Sequence, residues 1–269
     1  MNIFDNVIHN VPKQQGWVLW KDDCEAESLH LILDDKNITQ LNECIRLKNL
    51  YISDLKEGQL EKMLAADLGL KLLYIYKSNV KDFKIIEKFE TLEHIYLEWN
   101  SKVTKLWDVS ENLNLEYLYI NDFKNLRSID WLKWVKSLKW LHLSWWIWNK
   151  MKLDNFNALS FLHNLDILEL QNIWVNEHGL FPLKLLTQLK YLVLSNQFAT
   201  KDFAMLSVFL KNTQCDMFTG LVAFEDDDIW IWNIMIVWSG KPFLTSWIDD
   251  KKIMKYQEQF RAFQDFFRE

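Results

Sequence analysis

One pattern, L-x-x-L-x-L with Ile allowed in place of Leu, returns through most of the chain and restricts what it can fold into. It occurs as Leu47-Leu50-Ile52, Leu70-Leu73-Ile75, Leu92-Ile95-Leu97, Leu115-Leu118-Ile120, Leu138-Leu141-Leu143, Leu165-Leu168-Leu170 and Leu189-Leu192-Leu194. Successive copies begin 22 to 24 residues apart, apart from one interval of 27. A degenerate earlier copy starts at Ala26, with Leu29 and Leu31. The L-x-L core has period two and predicts a short strand. Between copies the apolar residues step by three, as in Val80-Phe83-Ile86-Phe89-Leu92 and Leu153-Phe156-Leu159-Leu162-Leu165. That step fits short 3₁₀ segments, whose side chains eclipse at i and i+3. One strand and one helical return per repeat make a solenoid.

These copies resemble the leucine-rich-repeat family, in its short 22-residue, internalin-like bacterial form. The resemblance covers residues 26–212 and implies an α/β fold: a right-handed solenoid or horseshoe with a concave parallel sheet and convex 3₁₀ or short helices. The family's usual asparagine at the ninth repeat position stands here only at Asn100; Leu55, Ser78, Phe123, Trp146, Ile173 and Gln197 replace it. Irregular strand exits are therefore expected. Residues 1–25, with Trp17 and Trp20, suit an N-terminal cap, since terminal repeats would otherwise expose core. Residues 213–269 read as a C-terminal cap or as a small interaction module. Its parts are a hairpin of Met217–Phe224 and Ile229–Trp238 around the acidic turn Glu225–Asp228, a Ser246/Asp249 capping box, and an amphipathic helix carrying Ile253, Tyr256, Phe260, Phe263 and Phe267.

The repeat also accounts for a lopsided composition. Only 6 Gly and 3 Pro serve 269 residues, because the chain turns through helical returns and not through tight hairpins. In contrast there are 15 Trp, 8 Tyr and 17 Phe. With the motif leucines facing inward, the third, fifth and seventh repeat positions face the concave side. The fifth reads His30, Tyr51, Tyr74, Tyr96, Tyr119, His142, Glu169 and Val193. Tyr117 and Trp140 stand at the third position, Tyr76 and Glu98 at the seventh, and Trp99, Asp122 and Trp145 at the eighth. The expectation is an exposed aromatic column that binds a protein, since Tyr and Trp dominate interface hot spots and large exposed apolar patches mark interaction sites. Glu98, Asp122 and Glu169 would tune its charge toward a mixed apolar and basic partner. The alternative is cross-strand packing of good strand formers. Trp107, Trp131 and Trp134 fall on the returns and read as packing residues. The Trp145-Trp146-Ile147-Trp148 stretch opens the 27-residue repeat and predicts a protruding loop.

No catalytic constellation, metal-site spacing or phosphate-loop motif is legible, so no enzyme activity, cofactor or metal is expected. A formal charge of −6 and no Lys/Arg block longer than a pair argue against nucleic acid and anionic membrane as partners. Cys24, Cys44 and Cys215 read as reduced thiols, and no secretory signal is legible, which suggests a cytoplasmic, monomeric protein. The functional expectation is a non-catalytic protein-interaction module. An immunity or antitoxin-like inhibitor and a carbohydrate-binding protein are its alternatives.

Overall fold

The computed structural model describes residue 12 and residues 23–63, 68–145, 151–224, 233–238 and 240–269. Its centre is one parallel sheet of eight strands. The strands are β1 (Ser28–Ile32), β2 (Asn49–Leu55), β3 (Leu72–Ser78), β4 (His94–Asn100), β5 (Tyr117–Phe123), β6 (Trp140–Ser144), β8 (Ile167–Gln171) and β10 (Tyr191–Leu194). Between β6 and β10, the short strands β7 (Met151–Leu153) and β9 (Ile173–Val175) pair as a separate two-stranded parallel sheet. The eight large-sheet strands lie in chain order, each paired with the next in register. The degenerate copy at Ala26 forms β1, so eight repeats stack. This is a leucine-rich-repeat solenoid.

The motif residues explain the stacking. Leu29, Leu50, Leu73, Ile95, Leu118, Leu141 and Leu168 are fully buried in one continuous core. Burying each such side chain is worth about 1.5–3 kcal/mol, and no repeat can achieve this without a neighbour. From Lys84 to Leu185 the returns are 3₁₀ segments, at Lys84–Lys88, Val109–Glu111, Asp130–Leu132, Asn157–Phe161 and Phe181–Leu185, as the spacing of three predicts. The first two returns instead form the α-helices α1 (Asp35–Gln40) and α2 (Gln59–Met63). Asp34 caps α1 by accepting from the Lys36 and Asn37 amides.

The strand exits correct the expectation of irregular turns. The eighth repeat position is left-handed at Asp54, Lys77, Trp99, Asp122 and Asn172, with φ of 55°, 61°, 58°, 60° and 55°. Backbone bonds of the next repeat hold these turns, such as Asn79 N–H to Leu55 O at 2.9 Å and Lys124 N–H to Asn100 O at 3.1 Å. Asn100 is buried and saturated: its amide donates to Ser78 Oγ and Val80 O, and its oxygen accepts from Lys102 and Val103 N–H. Apolar Leu55, Phe123 and Ile173 fill the equivalent place in other repeats, buried in the core.

In the C-terminal region the two expected segments pair antiparallel, over shorter strands and with a third strand added. Asp216–Thr219 is a 3₁₀ turn that ends at left-handed Gly220. After it come three antiparallel strands, β11 (Leu221–Ala223), β12 (Ile234–Ile236) and β13 (Phe243–Leu244). The expected acidic turn Glu225–Asp228 lies outside the described residues, as do most of residues 1–25 and the stretch Trp146–Trp148. The helix α4 (Asp250–Arg268) starts without the Ser246/Asp249 capping box. Ser246 pairs with Asn233 instead, and Asp249 accepts from Thr245 N–H. Phe260 buries itself in the repeat core, with Phe263 and Phe267 packed beside it. They lie against the helix α3 (Thr200–Phe209).

Cys24 and Cys44 form a disulfide, and Cys215 is the free cysteine. That corrects the reading of all three as reduced thiols. Spacing alone could not show that the first two repeats bring these positions together. Among the described residues, no helix is long and apolar enough to cross a membrane.

Candidate functional site: the concave face and its rim

In-register pairing turns the fifth-position column of the sequence into a column in space, Tyr51, Tyr74, Tyr96, Tyr119, His142 and Glu169. Consecutive tyrosine rings lie 5.8, 6.3 and 6.0 Å apart and tilted, and His142 stacks on Tyr119 at 4.3 Å. Trp140 meets Tyr96, Tyr117 and Tyr119, each at 6.2 Å. These are favourable aromatic spacings.

The column is buried, not exposed. Tyr96 is 0% and Trp140 1% exposed, and Tyr51, Tyr74, Tyr119, His142 and Trp145 are also buried. Strands about 4.8 Å apart are closer than an aromatic ring is broad. Each ring therefore leans over its neighbour, while Leu72, Tyr117 and Ile167 close the flanks. Cross-strand packing accounts for these residues. They form a second apolar layer on the side of the sheet opposite the leucine core.

Polar groups in this layer are engaged inwardly. Glu98 accepts from Tyr74 Oη at 2.9 Å. Burial pushes the Glu98 carboxyl above the usual carboxylate range, against the hydrogen bonds from Tyr74 and Asn121. Burial and the neighbouring Glu98 push the Tyr74 phenol up as well. Glu169 accepts from Trp140 Nε1 at 2.9 Å and lies 3.1 Å from His142 Nδ1. Burial works to raise Glu169, but His142 and Trp140 together outweigh it and hold the carboxyl below its usual range. An ionised carboxylate only accepts, so Nδ1 of His142 carries the proton. Neither acid is the free surface charge that the sequence suggests.

What this layer does expose lies at its edge. Tyr76 and Trp99 are 39% and 40% exposed, and their rings stack at 5.7 Å with 25° between planes. Glu98, opposite Tyr76 in the register, and Asp122 are half-buried beside them, while Tyr117 is half-buried at the other end of the strands against His94 and Trp140. Tyr191 and Val193, on the last strand of the sheet, are exposed and were not among the expected site residues. His94 stacks on Tyr117 at 4.4 Å, and burial lowers its pKa.

Past the strand ends lies a cavity of about 890 Å³. Eighth-position Asp54, Lys77, Trp99, Asp122 and Trp145 line it, together with tenth-position Lys56, Asn79, Ser101 and Lys124. Arg127 and Lys152 complete its basic wall. Of these, the sequence expectation contained only Trp99, Asp122 and Trp145. The basic residues are missed because, Lys124 and Arg127 apart, they lie about a repeat or more from one another in the chain.

No protein-family model and no curated protein sequence matches the chain. Among solved structures, it is similar to an internalin from Listeria monocytogenes at 20% identity and a TM-score of 0.43, over 72% of this chain and 62% of that one. It therefore spans less than two thirds of that internalin's length. Internalin C2 from the same bacterium matches at 15% identity and a TM-score of 0.39, over 73% of each chain. A leucine-rich-repeat protein of Leptospira interrogans matches at 17% identity and a TM-score of 0.23, over 73% of this chain and 74% of that one. Likenesses this distant say nothing of what the chain binds.

Proposed function

We propose that this leucine-rich-repeat solenoid is a non-catalytic binding protein that holds a partner protein against the edge of its concave face. The observation that carries this reading is the exposed Tyr76–Trp99 stack. It lies at the edge of the buried aromatic layer of Tyr51, Tyr74, Tyr96, Tyr119 and Trp140, two residues along β3 from Tyr74. Stacked aromatics on a rigid base make good anchors, because little side-chain freedom is lost when a partner docks. Half-buried Glu98 and Asp122 would form the polar surround. The non-catalytic reading is supported by the closure of the His142–Glu169 pair, whose side chains are 9% and 13% exposed beneath the aromatic layer.

The test is affinity capture with mass spectrometry from native lysate, with wild type and a Tyr76→Ala, Trp99→Ala double variant as baits. The variant should lose a partner that wild type recovers while keeping its circular dichroism spectrum. Equal recovery by both would overturn the assignment. Tyr74 and Tyr96 are unsuitable targets, because removing buried rings damages the fold itself.

A further inference from the structure

We infer that the cavity at the strand exits is an anion-recognition pocket that takes an acidic peptide segment of the partner. This deepens the binding reading above and rests on it. Lys77 is neutralised there by Asp54 at 2.6 Å. Lys56, Lys124, Arg127 and Lys152 line the same cavity with no carboxylate partner among the described residues. Asp122 is the one other acid among the described residues of the lining. The cavity thus carries an excess of positive charge in a chain whose formal charge is −6. A concave wall lined by one sign of charge focuses the field and draws in the opposite sign.

Aromatic surface completes the lining. Trp145 borders the cavity at 8% exposure, with its indole nitrogen closed off from it. Trp99 belongs to the cavity lining and to the exposed stack alike, so a chain docked on the stack continues into the cavity.

A peptide suits the site better than a nucleic acid. A polynucleotide running through the cavity would carry its phosphates past Asp54 and Asp122 in the lining. A short acidic run can end inside a volume of about 890 Å³, within the usual size of a ligand pocket.

The probe is a fluorescein-labelled short peptide alternating Asp and Glu around one Phe, titrated with the full chain by fluorescence anisotropy. Its controls are the Asn/Gln counterpart and a single-stranded oligonucleotide of equal charge. The acidic peptide should bind at low salt and weaken as salt rises, and the neutral one should not bind. Lys124→Gln with Lys152→Gln should weaken binding roughly tenfold, the size of two partly exposed charge contacts. Lys136→Gln, a lysine outside the lining, should leave it intact. Absent binding, equal binding of the neutral peptide, or an unchanged affinity in the double lysine variant would overturn the pocket. Tighter binding of the oligonucleotide, lost in the same variant, would overturn the peptide assignment. A flat peptide titration beside Tyr76-dependent partner capture fails the pocket alone. A good titration beside Tyr76-independent capture fails the concave-face reading alone.

Discussion

Trp140 donates its indole N–H to Glu169 at 2.9 Å across the boundary between neighbouring repeats. The other Glu169 oxygen faces His142, so one carboxylate satisfies two buried donors. Glu169→Ala strands both, and should lower unfolding free energy in urea by about 1–3 kcal/mol. Glu169→Gln keeps one acceptor and should cost less. The carboxyl sits below its usual range despite burial, through His142 and Trp140. A folded-state pKa below the unfolded one gives stability that is present above the unfolded value and lost as pH falls through the folded value. The advantage of wild type over Glu169→Gln should therefore shrink on acidification. An advantage that grows in acid would contradict this arrangement.

Glu98 has the opposite sign. Burial, chiefly, pushes its carboxyl up. The folded state then favours the proton, and its contribution is present below the unfolded value and lost as pH rises through the folded one. At neutral pH the ionised Glu98 is a burden. Glu98→Gln keeps an acceptor for the Tyr74 hydroxyl and removes the charge. Its melting temperature at about pH 7.5 should exceed that of wild type by roughly 1–3 °C, a sub-kcal/mol gain in a chain this long. The gap should close near pH 4. A lower melting point at pH 7.5 would show that the ionised carboxylate is stabilising.

The positions of the leucines were legible because burial in a stacked repeat demands the same residue type at the same place in each turn. In-register pairing then carries any sequence column into space, which is why Tyr51, Tyr74, Tyr96 and Tyr119 do stand in a row. Their exposure was not legible. It depends on ring breadth against strand spacing and on the flanking columns, where Leu72, Trp140 and Ile167 close the gaps. The basic cavity was hidden for a different reason. Lys56 and Lys124 share the tenth repeat position but lie three repeats apart, so no run of charge marks them in the chain. In the C-terminal region, period-two reasoning ran through Met217–Thr219, which the left-handed Gly220 closes off as a 3₁₀ turn.

Asn100 is the one ninth-position asparagine, and it makes four hydrogen bonds while 2% exposed. Two of them tie the exit of its own strand, and two reach back to the preceding repeat. Asn100→Ala leaves buried backbone and hydroxyl groups unpaired, and should cost about 2–4 kcal/mol at the rate for unsatisfied buried groups. Hydrogen exchange should speed up at Lys102 and Val103 before it does in the flanking strands. Uniform exchange across the sheet would mean that the side chain is dispensable to the turn.

Gly220 joins the 3₁₀ turn to β11 at φ 79°. A Cβ placed there would meet the Phe260 ring at 2.6 Å. Phe260 is the α4 residue seated in the repeat core, so the glycine permits the helix to dock. Gly220→Ala meets both a left-handed backbone and a clash with a packed ring, and should cost about 2–4 kcal/mol. If docking is what suffers, Gly220→Ala should cost less in a Phe260→Ala background, which removes Cγ and Cδ2, than in wild type, measured by urea unfolding. An equal cost in both backgrounds would locate it in the backbone.

The Cys24–Cys44 bond closes a loop between positions 20 residues apart, from the turn before β1 to the segment before β2. Such a link restricts the unfolded chain and is worth about 2–4 kcal/mol. Cys215 is free, and burial raises its thiol to about 11, so little thiolate is present at neutral pH and alkylation of the folded protein should be slow. Alkylation after denaturation without reductant should tag one of the 3 cysteines, and all 3 once reductant is added. Cys24→Ser should then unfold at lower urea than wild type under oxidising conditions, and the two should converge in reductant. Disulfides persist where the surroundings are oxidising, so this thiol count also bears on the expected cytoplasmic location. Three thiols tagged without reductant, in protein purified from its native source under alkylating conditions, would remove the bond and restore the reading of a reduced protein.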